Sequence, residues 1–350
     1  MKRLWMIVCL LLATSTQTQA GGGSFERLCD TLTGNCCDSS GCDARDNCGS
    51  WYAQTEAVFL SPLDTANSQV FSLVNTAPAT TITAATSVDA DEFTATPRLT
   101  LGRQFRNGWG LQARYWDLNV VDGNGFAGPF AGVGVPPSLE LLGGVDSVQA
   151  YTIDVEATKC VCIRGRRMLG TFGVRHGALE HRTTQSAFGV DTGLDNFVLS
   201  AVNENAFHGT GVTYSLMGTR PLSSKCFSLY AGGRLSHLFG EGRSISNTSA
   251  IVASPFGTAA STNGAVAFDD EILTIFESQV GLQWARCLLD CRAKCFARIG
   301  FEYQYWTADD NLSTATSFAA GPAGGASVSA TSADFDTHFV GLGFSTGFAW

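Results

Sequence analysis

The chain has 350 residues, 45% of them hydrophobic, 11% aromatic and 15% charged, with 39 Gly and a formal charge of −9. The charged fraction lies well below the roughly 25% of a typical soluble protein, yet the mean hydropathy is barely above zero. After residue 20 no apolar run approaches the roughly 18 residues that a spanning helix needs, which excludes a helical membrane protein, and the acidic balance disfavours a nucleic-acid binder. Low charge with many Gly and aromatics is the composition of a transmembrane β-barrel.

Residues 1–20 read as a secretory signal: Lys2 and Arg3 give a basic start, residues 4–13 an apolar centre, and Thr18, Gln19 and Ala20 a small-residue cleavage site. Residues 21–50 form a Cys-rich segment expected on the periplasmic side, and residues 51–350 an outer-membrane barrel. Without the signal, 20 bases face 31 acids.

From Trp51 onward apolar and polar residues alternate in stretches of about ten residues, the length of a tilted membrane strand. Trp51, Ala53, Thr55, Ala57 and Phe59 share a face opposite Gln54 and Glu56; Leu99, Leu101 and Phe105 oppose Arg98, Thr100 and Gln104. Asn107-Gly108 then suits a tight hairpin, since both residues tolerate positive φ. Trp109, Leu111, Ala113 and Tyr115 return against Gln112 and Arg114. Seven further stretches follow at 148–157, 167–177, 206–220, 227–239, 272–284, 296–306 and 336–350. The predicted fold is therefore all-β, an antiparallel up-and-down barrel of about ten strands, or twelve if 70–86 holds an extra hairpin.

Connections alternate between long ones (61–95, 121–147, 183–205, 240–271, 307–335) and short ones (near 107, 158–166, 221–226, 285–295), as external loops and periplasmic turns do. Seventeen acids, among them Asp89, Asp91, Glu92, Asp146, Asp191, Asp269, Asp270, Glu271, Asp309 and Asp310, occupy the long set with one base, Arg243. The short set and its edges are basic, carrying Arg106, Lys159, Arg164, Arg166, Arg167, Arg220, Lys225, Arg286, Arg292 and Lys294 against Asp290. An acidic outer rim attracts cations and loosely binds divalent ions; no dedicated cofactor or metal site is expected.

Eleven Cys follow the signal, and all fall before the first strand or beside short connections: Cys29, Cys36, Cys37, Cys42, Cys48, Cys160, Cys162, Cys226, Cys287, Cys291 and Cys295. In an oxidising compartment they are disulfide candidates, and the odd count leaves one for an envelope partner or a free thiol. The spacing lacks the paired knuckles of a zinc site.

Taking the polar face of each strand as inward places Glu56, Asp154, Glu156, Glu277 and Glu302 with Arg98, Arg114, Arg175, Arg234 and Arg298 in the lumen. Five of each sign can pair across a narrow barrel and close it, or line a polar passage.

The segments at 51–60, 110–117, 227–234 with 238–240, and 298–306, ending in Tyr303-Gln304-Tyr305-Trp306, resemble the recurring segments of the Legionella-type pore-forming major outer membrane protein family. The resemblance spans most of 51–350 and implies an outer-membrane porin or pore former. The end of the chain, with Phe344, Phe348 and Trp350, resembles the signal read by the barrel-assembly machinery. The Cys-rich segment lies outside the resembling region.

The expected function is passive, narrow, cation-leaning passage of small solutes through the outer membrane of a Gram-negative-type bacterium, in contact with its lipid. The alternative is a structural or adhesive envelope barrel with a salt-bridged closed lumen. His176, His181 and His208 are scattered, and no G-x-S-x-G nucleophile motif occurs, so no enzyme is expected.

Overall fold

The computed structural model describes residues 50–350 apart from 64–67, 77–78, 87–92, 106–108, 126–137, 164–165, 191–194, 223–225, 289–292, 309–312, 323 and 332–335. The strands are β1 (Ser50–Leu63), β2 (Ser68–Thr76), β3 (Ala79–Thr86), β4 (Thr94–Gln104), β5 (Trp109–Gly125), β6 (Ser138–Ile163) and β7 (Arg166–Val190). They continue as β8 (Asn196–Pro221), β9 (Phe227–Ser254), β10 (Gly257–Leu288), β11 (Ala293–Thr307), β12 (Thr314–Ala320), β13 (Gly324–Thr331) and β14 (Asp336–Ala349). Ten of these close an antiparallel barrel in the order β1-β14-β11-β10-β9-β8-β7-β6-β5-β4. The seam is tied where Trp51 and Trp350 exchange both backbone N–H to O bonds at 2.9 Å.

The alternation read from the sequence sets the facing. Leu99, Leu101, Ile153, Val155, Leu282, Phe301 and Phe344 point outward, while Arg98, Asp154, Glu277 and Glu302 are buried inside. At the short-turn mouth the outward residues are Trp51, Trp109, Phe227, Phe348 and Trp350, with Arg103 over Trp51 and Lys159 over Trp109. Near the other end Tyr151 packs on His176, and Tyr303 and Tyr305 on His338. Two belts of amphipathic rings bracketing an apolar band mark the two membrane interfaces.

The described parts of three connections expected as long loops are strand instead. Residues within 121–147, 183–205 and 240–271 extend β5 to β10, so that β8, β9 and β10 reach 26, 28 and 32 residues while β1 and β14 have 14 each. Beyond the bilayer the outer face meets water and carries polar side chains too, which erases the alternation that betrays a strand in lipid. The hairpin weighed at 70–86 exists as β2 and β3, but outside the wall: with β12 and β13 it forms a separate sheet in the order β12-β13-β2-β3.

This small sheet lies on the inner face of the tall wall, above the lumen. Phe71, Ala319, Ala326 and Val328 pack against Phe197, Leu199, Ala250 and Val252. Thr248 and Ser317 share a 2.8 Å hydroxyl contact, and the Asn203 and Asn263 amides donate to the Thr331 and Thr316 carbonyls at 3.1 and 2.9 Å. The sheet thus stands as a cap at the end of the barrel opposite the short turns.

Candidate functional site: the barrel lumen

All ten ionisable residues assigned to the lumen face inward, and among the described residues nine of them are seen in two ion-pair clusters. In the first, Arg98 bridges Glu56 at 3.1 Å and Glu302 at 2.5 and 2.8 Å. In the second, Arg175 makes a forked contact with Asp154 at 2.6 and 2.9 Å and reaches Glu277 at 2.5 Å. Arg114 holds Glu277 at 2.9 Å, and Arg234 holds Glu156 and, at 3.3 Å, Asp154. The tenth, Arg298, donates Nε–H to the Gln283 carbonyl at 2.7 Å and lies over the rings of Tyr230 and Phe296. A Cβ at Gly300 would collide with Tyr230, so the glycine lets that ring lie flat against the wall beneath Arg298.

Neutral donors finish the carboxylates. Gln279 and Gln304 each donate to Glu302 at 2.6 Å, and Gln112 to Glu156 at 2.5 Å while accepting from Tyr52 at 2.7 Å. Burying so many charges is tolerable because opposite charges pair and Glu302 and Glu156 accept further hydrogen bonds, although Arg98 Nε and Arg114 Nε find no partner among the described residues.

The site is asymmetric along the barrel axis. On the short-turn side a cavity of about 100 Å³ is walled by Glu56, Arg98, Arg114, Arg234, Glu277 and Arg298, with Met217 and Thr100. Four expected lining residues, Asp154, Glu156, Arg175 and Glu302, stand outside this wall and are at most 1% exposed. The guanidinium and carboxylate partners that neutralise them also cover them.

On the cap side the sequence reading missed the principal feature. Val58, Leu60, Trp116, Leu118, Leu179, Phe207, Leu238, Leu273, Ile275, Trp306 and Phe339 form one buried apolar layer across the lumen. Trp116 and Trp306 lie 5.7 Å apart with their rings tilted by 43°, and Phe339 meets Trp306 edge-on at 6.0 Å. Choosing the more polar face as inward fails at this level because the outward neighbours, among them Asp117, Asn119, Glu180, His237, Thr274 and His338, are the more polar side. Trp306 Nε1–H donates to Gln304 at 2.9 Å and so joins the layer to the ion pairs below.

The external acids are not a uniform rim. Asp146 is buried and accepts from Thr183 at 2.7 Å, with His181 Nε2 at the same distance; Glu204 pairs with Arg243; Glu271 is buried, and Asp269 and Asp270 are exposed on β10. Continued strand, with its inward face, buries acids that a loop would leave in water. Asp89, Asp91, Glu92, Asp191, Asp309 and Asp310 lie outside the described residues. Among the described residues no group of three His, Cys, Asp or Glu is placed to hold a metal ion. Thr183 and Asp146 both approach the Nε2 of His181, whereas a nucleophile relay needs the acid and the nucleophile on opposite ring nitrogens. His176 and His208 point outward, away from it.

Cys226 and Cys295, expected in disulfides, are free thiols here. Cys295 faces Arg286 and Phe348 across its two neighbouring strands, and Cys226 sits in the turn before β9, its carbonyl accepting from Ala285 N–H at 3.0 Å. Cys160, Cys162 and Cys287 lie in strand at the short-turn ends of β6 and β10. Cys29, Cys36, Cys37, Cys42, Cys48 and Cys291, and the signal and Cys-rich segments as a whole, lie outside the described residues.

A closed antiparallel cylinder of ten strands, greasy outside between two ring girdles and with its charges turned inward, defines a membrane-spanning β-barrel of the outer-membrane type. No protein-family model matches the chain, and no curated protein does. Among solved structures, the Pseudomonas putida toluene transporter TodX is similar at 10% identity, over 87% of this chain and 90% of that one, with a TM-score of 0.24. A Pseudomonas aeruginosa FadL homologue is similar at 8% identity over the same shares, with a TM-score of 0.25. Ail, the attachment invasion locus protein of Yersinia pestis, is similar at 10% identity over 85% of this chain and 99% of its own, with a TM-score of 0.17. Likeness at this level transfers nothing; the class follows from the barrel itself.

Proposed function

We propose that this chain is a narrow, gated outer-membrane channel that rests shut and passes small hydrophilic solutes when its lumen ion pairs exchange partners. The observation that carries the reading is the sharing of carboxylates. Asp154 and Glu277 each lie within 4.0 Å of the same three arginines, Arg114, Arg175 and Arg234. A guanidinium can pass from one acid to the other without becoming an unpaired buried charge, the state that costs most. The cavity beneath the pairs and the resemblance to a pore-forming family support the same reading. The apolar layer is a second closure in series, of the kind that gates by dewetting.

The reading puts the chain in the outer membrane of a Gram-negative-type bacterium, surrounded by lipid, with no catalytic role. The exposed Asp269 and Asp270 favour cations at the outer mouth and loosely held divalent ions. Phe344, Phe348 and Trp350 serve the barrel-assembly machinery.

Planar-bilayer recording tests this. Wild-type protein should give small, brief openings, and the combined variant Glu277→Gln, Phe207→Ala, Phe339→Ala a larger, steady current. Bilayers that stay sealed with both proteins would overturn the channel.

A second reading, an adhesive barrel, is favoured by the cap, whose outer face carries Thr314, Thr316, Ser329 and Thr331 in a neutral hydroxyl ladder. Rigidly mounted external surfaces of this kind commonly bind. Its signature would be sealed bilayers with retained binding to cell surfaces.

A further inference from the structure

The tall part of the wall ends in a margin without the devices that blunt a sheet edge. Between Gly257 and Thr274, where pairing with β11 begins, β10 has β9 on one side only among the described strands. Ala285 N–H bonds the Cys226 carbonyl, so odd-numbered residues of β10 turn their backbone groups to β9, and the eight even-numbered residues from Thr258 to Ile272 turn theirs to the open side. Two N–H groups on that side, those of Gly264 and Asp270, are met by the side chains of Asn263 and Asp269 just before them, exposed contacts that a pairing strand displaces. Sheet edges are normally blunted by Lys, Pro, a bulge or a short span. Residues 257–273 contain no Lys, Arg or Pro, and their register with β9 runs without a shift. The opposite margin of the same wall differs: past its last pair with β5, at Gly143, β6 continues only to Ser138 and carries a bulge between Leu141 and Gly143.

An open edge of this kind recognises an extended strand, and its side chains fit a second copy of itself. Two copies of β10 related by a two-fold axis pair antiparallel, and a single register uses the whole free span between the turn at Gly257 and β11 at Thr274. It sets Thr258 opposite Ile272, Ala260 opposite Asp270, Thr262 opposite Phe268 and Gly264 opposite Val266, with Ala265 on the axis. No acid then faces an acid, since Asp269, Asp270 and Glu271 fall opposite Ser261, Ala260 and Ala259. The outward Val266 and Phe268, both exposed, join those of the other copy in one apolar patch across the axis. The pair on the axis lies between backbone hydrogen bonds, where strands approach most closely, and it is alanine against alanine.

We propose that the free edge of β10 is an interface between two copies of this chain carried by facing membranes. Antiparallel strands are related by a two-fold axis normal to their sheet. The wall stands upright on the bilayer, so that axis lies in the membrane plane and turns the second barrel upside down. A neighbour in the same membrane keeps its β10 running the same way and cannot pair so. The edge begins just past the ring girdle, where Tyr305 lies opposite Phe276, at the end away from the short turns. With the short turns periplasmic, that end faces outside the cell, and the contact joins one cell or vesicle to another. It goes beyond the channel reading and does not depend on whether the lumen conducts.

The experiment uses the full-length protein with a photoreactive residue replacing Phe268, reconstituted into two liposome populations that carry different tags. After mixing and illumination the expected product is a dimer bearing both tags, its crosslink mapped by mass spectrometry to the neighbourhood of Thr262, from vesicles that cluster. Ala260→Asp sets an acid opposite Asp270 and should lower yield and clustering several-fold, whereas Ala260→Lys at the same exposed position should hold or raise them. Hydrogen-exchange protection of β9 at its wild-type level shows that both variants are folded, and where one is not, the crosslink map obtained without it decides alone. Vesicles that stay separate, dimers bearing one tag only, a crosslink outside residues 258–272, or a yield indifferent to the charge at position 260 would each overturn the inference.

Discussion

At the residue scale, neighbouring positions on one strand face different solvents. Leu101 is 52% exposed on the outside, whereas Thr100 lines the lumen cavity. Leu101→Arg should destabilise the barrel by about 2 to 4 kcal/mol if the residue lies near the bilayer midplane, and Thr100→Arg by clearly less, as read from urea unfolding in liposomes. Equal losses would reverse the assigned facing. Inside, Arg175 is fully buried and contacts both Asp154 and Glu277. Arg175→Met should cost about 3 to 5 kcal/mol because it strips a partner from buried carboxylates, and the further change Glu277→Gln should recover part of that loss. Trp306→Ala opens a void in the apolar layer and should cost about 3 to 5 kcal/mol. The ten lumen charges were legible in the sequence because a charged residue on a lipid-flanked strand has only one tolerable direction. Phe207, Leu238 and Leu273 were not, since an apolar side chain is content on either face.

At the element scale, β10 shows what strand pairing adds to the sequence pattern. Its register with β9 is continuous from Gly257↔Ser254 to Trp284↔Phe227, and Ala285 N–H bonds the Cys226 carbonyl, so odd-numbered residues of β10 face β9. Pairing with β11 starts only at Thr274. Even-numbered residues from 258 to 272 therefore turn their backbone groups to an edge with which no described strand pairs. Proline is tolerated where its missing N–H faces such an edge. Ala260→Pro should leave hydrogen-exchange protection of β9 near its wild-type level, and Ala259→Pro should abolish it around Val252; equal protection in both would refute the parity. These extensions escaped the sequence reading because Thr, Ser, Asn and Gly dominate them on both faces. The terminal strand was legible, with aromatics at alternate positions to Trp350. Deleting residues 348–350 removes the pairs of Phe348 and Ala349 with both β1 and β11, and should leave the protein unassembled in the periplasm when envelope fractions are blotted. Normal outer-membrane levels would contradict that.

At the scale of the whole molecule, four layers succeed one another along the axis: a basic vestibule, a lattice of shared ion pairs, an apolar layer and a cap sheet. Strand number and facing could be read from the chain because the bilayer imposes a period of two and a fixed span. The cap could not, because it depends on two distant hairpins, β2-β3 and β12-β13, meeting through the pairing of Ser327 with Ser72, which no local pattern encodes. All of this rests on a sealed cylinder whose first and last strands are neighbours. Electrophoretic mobility in detergent before and after boiling tests it most directly. The unboiled protein should migrate as a compact, faster band and shift to the mobility of its full mass once heated; a single band, unmoved by boiling, would contradict the closed barrel.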